Sequence, residues 1–159
     1  MVRPAGFEQR VYVLPSIASA ALAPTVAEIT AGVEITGDLP APLNLAGTTN
    51  FIDSSDISDR QDKNQLGTLS LANVDFEIYR DKTNQVAYDA LDNETDYYLV
   101  KFEGGSIVGA DPAAGDVCDV AAITVGIKND VSSPRNDTRR VSVPVAVREA
   151  IAWDAVVLA

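Results

Sequence analysis

The sequence contains no histidine and only one cysteine, Cys118, in 159 residues. Without histidine, the chain lacks the commonest general base, the usual Ser/His and Cys/His nucleophile pairs, and the commonest metal ligand. A single cysteine excludes an intrachain disulfide, which favours a cytoplasmic origin and a fold stabilised by packing or oligomerisation. Because Asp116 and Asp119 flank Cys118 and would raise its thiol pKa, we interpret this cysteine as an unreactive core or surface residue.

Positive charge is also scarce, with 12 Lys and Arg against 23 Asp and Glu and a net charge of -11. Binding to nucleic acid or to an anionic membrane depends on basic residues, so neither function is expected. No apolar run approaches the roughly 20 residues that span a bilayer. The segment VYVLPSIASAALA after Arg10 has some features of a secretory signal, but Pro15 interrupts the apolar run and Glu8 is acidic.

Length and composition favour a single globular domain over residues 1–159, since 47% of the residues are hydrophobic and 22% are charged. Residues 1–10 show no periodicity and are predicted to form an N-terminal arm, while Val11–Leu14 is a short strand candidate. Residues 37–64 are rich in Pro, Asn, Asp, Ser and Gly, and predict a long loop or flexible hairpin. A connection of that length is usually functional or disordered.

Two short helices are predicted. PTVAEITAG predicts about two turns, with Pro24 at the first helical position, Glu28 near the positive end and Gly32 closing the helix. TNQVAYDAL predicts a second helix behind a Thr83 or Asn84 cap. Its apolar stripe comprises Val86, Ala87, Ala90 and Leu91.

Strand patterns fill much of the remaining chain. Residues 66–80 alternate, but the apolar phase changes, which predicts a bulge or bend near Ala72–Asn73. Tyr97–Phe102 is a second candidate, and a third has apolar residues at every second position from Ala121 to Ile127.

The segment 137–159 is predicted to contain the C-terminal strands. Valine occupies every second position from Val141 to Val147, the pattern of a strand with one apolar face. Pro144 has no N–H, so this strand should lie at an edge or have that position pointing away from a partner. The apolar residues 151–158 should be docked, with another subunit as one candidate surface. Six or seven strands and two short helices predict a mainly β fold, a β-sandwich or barrel with helical decoration.

No motif for catalysis or cofactor binding emerges. The glycine cluster EGGSIVG lacks the spacing and the lysine of a phosphate-binding loop. Acidic residues recur at every third position of FIDSSDISDRQDKNQ, whereas a calcium loop needs ligands at every second position. We therefore interpret this array as a solvated acidic loop. It comprises Asp53, Asp56, Asp59 and Asp62.

Three segments, by their order along the chain and their residue pattern, resemble those of a known family, and the resemblance covers nearly the whole chain. LPSIASAALAPTVAEITAGVEIT comes first; after the polar loop come DRQDKNQLGTLSLANVDFEIYRD and then RRVSVPVAVREAIAWDAVVLA. Together they resemble the major tail (tail tube) proteins of long-tailed phages, particularly those of actinobacteria. This resemblance implies a non-enzymatic β-sandwich with a flanking helix, found in the virion tail after synthesis in the host cytoplasm.

The same resemblance implies how such a protein works. Its copies would form hexameric rings through an inter-subunit β-sheet and stack into a tube around a tape-measure protein. Further implied partners are the tail terminator and the distal tail or baseplate proteins, and DNA would pass through without specific binding. No cofactor, metal or membrane is implied.

Asp75 and Glu77 alternate with apolar neighbours, so in the tube that the resemblance implies they are candidates for acidic side chains facing the lumen, with ordinary solvent-facing charges as the alternative. The resemblance also makes the polar loop the candidate inter-ring contact, represented by Phe51, Asp53, Asp56, Asp59 and Asp62. Two other function classes remain open. A virion decoration or immunoglobulin-like binding domain would be a stable monomer, and a hydrolase would need two carboxylates about 5–10 Å apart in a pocket.

Overall fold

The computed structural model describes residues 9–55, 64–71, 74–81, 83, 85–103, 110–131, 135 and 137–159, with the backbone alone for residues 64, 68–71 and 74. Within these ranges the fold is mainly β. Its strands are β1 Gln9–Leu14, β2 Val33–Glu34, β3 Gly47–Asp53, β4 Asn64–Leu71, β5 Val74–Tyr79, β6 Asp96–Glu103, β7 Val117–Val125, β8 Asn129–Val131, β9 Arg140–Val147 and β10 Ala152–Val156. Its helices are α1 Val26–Ala31, α2 Val86–Ala90 and a 3-10 turn at Thr36–Asp38.

Eight of the strands form one antiparallel sheet, in which six follow the order β2-β1-β6-β7-β9-β5 and β8 and β10 pair beside this path. β7 pairs with β6 along one side, and its other side is shared between β10 and the end of β9. β8 pairs with the beginning of β9, on the side away from β5. β3 and β4 form a separate two-stranded hairpin.

The large sheet folds over itself into the two layers of a β-sandwich. Side chains from β1, β6 and β7 and from β5 and β9 meet in one buried cluster, represented by Val11, Leu99 and Val143. α2 and the residue that follows it close this cluster with Ala87 and Leu91, which are both fully buried. The predicted β-sandwich with two short helices is therefore confirmed.

A second buried cluster lies on the opposite face of β1, β6 and β7, under α1. It includes Phe102, Val120 and Ile29. Because both faces are covered, β7 is apolar at successive positions and not only at alternate ones. Ile127, which we assigned to the alternating face of this strand, lies beyond its end and is exposed.

α1 begins at a complete capping box. The Thr25 hydroxyl accepts from the Glu28 N–H at 3.2 Å, and the Glu28 carboxylate accepts from the Thr25 N–H at 2.8 Å. The predicted helix is confirmed, but Pro24 precedes the cap and is not its first residue. Gly32 ends the helix as predicted, and a Cβ there would lie 2.9 Å from the Val13 carbonyl oxygen, so α1 can approach β1 closely.

α2 takes its caps from distant parts of the chain. The buried Asp38 carboxylate accepts from the Ala87 N–H at 3.0 Å, and the Lys128 ammonium donates to the Tyr88 and Leu91 carbonyls. The predicted Thr83 or Asn84 cap is wrong, because Gln85 occupies the N-cap without a side-chain hydrogen bond. Tertiary partners replace the local cap at both ends of a helix too short to be stable alone.

The valine strand, β9, is an interior strand, so the edge interpretation of Pro144 is wrong. The other interpretation, that position 144 points away from a partner, is the one that applies. Pro144 lies opposite Asp75 of β5, at a position where β9 donates no N–H to β5. Its carbonyl accepts from Gly126 on the side away from β5, at 2.7 Å. In an antiparallel pair the N–H and C=O of one residue point to the same side, so the missing donor also points away from β5.

Three further expectations are changed by the fold. Residues 66–80 are not one bulged strand, since β4 and β5 belong to different sheets. The predicted bulge at Ala72–Asn73 lies outside the described residues.

The apolar segment 151–158 docks on its own chain, because Leu158 exchanges backbone hydrogen bonds with Pro24 and Val26. Gln9 and Arg10, placed in the arm, belong to β1, and residues 1–8 are outside the described residues.

Candidate functional site

The β3–β4 hairpin begins inside the region predicted as a long loop or flexible hairpin, since β3 lies within residues 37–64 and β4 starts at Asn64. Residues 56–63 lie outside the described residues, so the flexible connection stays a prediction. Glycine, threonine and asparagine begin β3, and an Asx turn ends it, in which the Asp53 carboxylate accepts from the Ser55 N–H at 2.8 Å. Hydrogen bonds from Ser55, first from its side chain and then from this N–H, lower the pKa of Asp53. Asp56, Asp59 and Asp62 lie outside the described residues.

The hairpin carries large apolar side chains that the described part of the chain leaves exposed. Phe51 and Leu66 are direct cross-strand partners, and they are 67% and 75% exposed. Ile52, on the other face, is 58% exposed. None of the three belongs to either core cluster. A two-stranded hairpin is marginal in water, so this arrangement is typical of a segment covered by a partner.

Asp75 and Glu77 both face away from the core, and their position in a lumen stays a prediction. Phe76 and Ile78, between and after them, are buried, whereas Asp75 is exposed and Glu77 is half-buried. Glu77 has a cationic neighbour, because its carboxylate lies 3.5 Å from the Arg140 guanidinium. The outer face of β5 is therefore acidic at Asp75 and partly neutralised at Glu77.

β5 is also an open edge of the sheet among the described residues. Its inner side pairs with β9, and the Asp75–Pro144 position leaves the peptide groups of Asp75, Glu77 and Tyr79 pointing outward. A cavity of about 370 Å³ lies beside this edge, bounded on the other side by residues 40–44. An edge with free N–H and C=O groups can accept another strand.

A second exposed apolar surface lies where β10 pairs with the start of β7. Val117 and Val156 are direct cross-strand partners, 48% and 47% exposed, and Trp153 on the same strand is 53% exposed. Leu158 extends this surface toward α1. We call these four residues the β10 strip.

Sequence reasoning named Phe51 but missed Ile52, Leu66 and the β10 strip as exposed apolar residues. The segment 151–158 was recognised as apolar and needing cover, yet the residues left uncovered could not be identified. An apolar side chain on a strand has the same local pattern whether its face is buried or free. The only feature of the sequence that could have indicated an exposed apolar surface here was Trp153, the single tryptophan of the chain.

The surroundings of Cys118 disfavour its thiolate form. Burial is the main cause that raises the pKa of Cys118 to about 12, and Asp119 and Asp116 add to it. Among the described residues, no group of three or more acidic or cysteine side chains is arranged to hold a metal ion. In the same part of the chain, no helix combines the length and the apolar character needed to cross a membrane.

A family comparison agrees with these surfaces. A model of a family described as phage tail tube protein matches residues 5–159, nearly the whole chain. Among curated proteins, none matches it. A β-sandwich with a projecting apolar hairpin and a second uncovered apolar surface suits a subunit that associates with copies of itself. The chain thus belongs to the phage tail tube protein family and is a structural component of the virion tail.

Proposed function

We propose that copies of this chain form hexameric rings that stack around a tape-measure protein and leave a channel for DNA. The observation that carries the proposal is the exposed β3–β4 hairpin in a chain of the tail tube family. Ends of the tube would meet the tail terminator and the distal tail or baseplate proteins.

Ring closure would use the open edge of β5. A strand of the next subunit would pair with the outward peptide groups of Asp75, Glu77 and Tyr79, and so continue the sheet from one subunit to the next. The cavity between this edge and residues 40–44 leaves space beside the strand. Pairing would remove an edge that otherwise invites non-specific aggregation.

The outer face of this continued sheet would line the channel, which places Asp75 and Glu77 in the lumen. An acidic wall repels DNA phosphates, so DNA would slide through without being held. Arg140 neutralises part of the charge of Glu77, so Asp75 would be the stronger contributor.

Negative-stain electron microscopy of the concentrated protein, with light scattering, tests the assembly. We expect rings or hollow tubes, and a strictly monomeric protein at every concentration would refute the proposal. For the lumen, Asp75→Cys would be labelled with a biotin maleimide before assembly. Streptavidin should bind the labelled monomer and fail to bind the assembled tube; equal binding to both would place Asp75 outside the lumen.

A further inference from the structure

We propose that the β3–β4 hairpin of one copy docks with Phe51 and Leu66 on the β10 strip of another copy. The inference rests on the proposed self-assembly and names the two surfaces that meet. Both surfaces are apolar, and both are exposed.

The hairpin provides a compact apolar face. Phe51 and Leu66 stand opposite each other across the two strands, so their side chains lie next to each other on one face. This face lies outside both core clusters of its own chain. Covering it would supply the apolar burial that an isolated hairpin lacks.

The β10 strip provides the matching surface on the body of the protein. Ala152 and Ala155 pack toward the cluster under α1, whereas Trp153 and Val156 are about half exposed. Trp153 is a large apolar residue of the type that anchors protein interfaces. β10 is held by β7 on one side, so the strip is presented by a fixed element.

A second copy is the occupant that fits this pair of surfaces. An open stack or closed ring of identical subunits needs two different patches on each chain, so that one patch of a subunit binds the other patch of its neighbour. The hairpin and the β10 strip are two such patches, located on separate sheets of one chain. The family match independently requires association between copies.

Because Trp153 is the only tryptophan, its fluorescence reports directly on this contact. We expect the emission to shift to shorter wavelength when the protein assembles, as the indole leaves water. The Phe51→Ser and Leu66→Ser variants should lose this shift and raise the concentration for half-assembly about 30-fold, the effect of removing one interface hot spot. Val86→Ser, at an exposed site on α2, is the matched control and should behave like the unmodified protein.

Disulfide trapping gives the second readout. A mixture of Phe51→Cys and Trp153→Cys chains should form a crosslinked heterodimer, and a mixture of Phe51→Cys and Val86→Cys chains should not. The buried Cys118 does not interfere. Tubes that form without a tryptophan shift, or equal trapping in both mixtures, would overturn this contact and leave the tube proposal intact. A protein that never assembles would overturn both.

Discussion

Cys118 is made unreactive by its surroundings. It is buried under α1, and its thiol pKa is raised to about 12, first by burial and then by Asp119 and Asp116. We therefore predict no alkylation of the native protein by iodoacetamide at pH 8 and full alkylation in guanidinium chloride, both read by intact mass. Rapid alkylation of the native chain would show that the cysteine is accessible.

Glu34 provides a residue-level prediction of pH dependence. Arg10 binds both oxygens of the Glu34 carboxylate, at 3.0 and 2.9 Å, and these hydrogen bonds are the main cause that lowers the pKa of Glu34. A lowered pKa in the folded state means that the stabilisation is present at neutral pH. It disappears as pH falls below about 4.3, the usual value for glutamate, and through the lowered pKa.

The matched test is Glu34→Gln, which removes the charge and keeps the shape. We expect a loss of about 0.5 kcal/mol in the free energy of unfolding at pH 7, the size typical of solvent-exposed ion pairs. Urea titrations at pH 7 and pH 3 should show the difference from the unmodified protein shrinking at pH 3. A difference that stays constant with pH would mean that this pair does not set the dependence.

At the scale of elements, α2 depends on caps that come from elsewhere in the chain. Removing the Asp38 acceptor leaves the buried Ala87 N–H without this partner, so Asp38→Ala should lower the free energy of unfolding by about 1–2 kcal/mol. Asp38→Asn keeps an oxygen acceptor and should cost less. Urea unfolding compares the two, and equal losses would show that the charge, and not the hydrogen bond, stabilises α2.

Strand pairing also belongs to this scale, and it explains which predictions failed. The valine alternation identified β9 as a strand, because side chains alternate between faces every residue. Its interior position depends on β5, β7 and β8, which are separate segments of the chain. Likewise, the phase change in residues 66–80 marked a real break, but only the pairing shows that β4 and β5 lie in different sheets.

At the scale of the whole molecule, the net charge of -11 should oppose association, since every copy repels the next. Salt screens this repulsion, with a Debye length falling from about 30 Å at 10 mM to about 8 Å at 150 mM. We predict that the concentration for half-assembly falls as salt rises over this range, measured by sedimentation. An increase with salt would show that attractive ion pairs between copies dominate.

The same charge predicts that neither the monomer nor the tube retains duplex DNA. Few basic residues are available to release counterions from phosphates, so a gel shift at low salt should show free DNA. Retention at 50 mM salt would contradict the acidic channel. A variant with Asp75→Lys tests the same point locally, because it places a cation on the face proposed to line the lumen.

The sequence by itself determined the fold class, the short helices and the absence of histidine-based chemistry. These follow from composition and from local periodicity, which depend only on neighbours along the chain. The capping box of α1 is local for the same reason, since Thr25 and Glu28 are three residues apart.

Only the tertiary structure decided which apolar residues stay uncovered. Val143 and Val156 have the same side chain and both lie in strands, yet one is fully buried and the other is 47% exposed. Burial depends on what the folded chain places above each face, and that is a long-range property. The hairpin face and the β10 strip, and with them the proposed contact between copies, therefore became visible only in the fold.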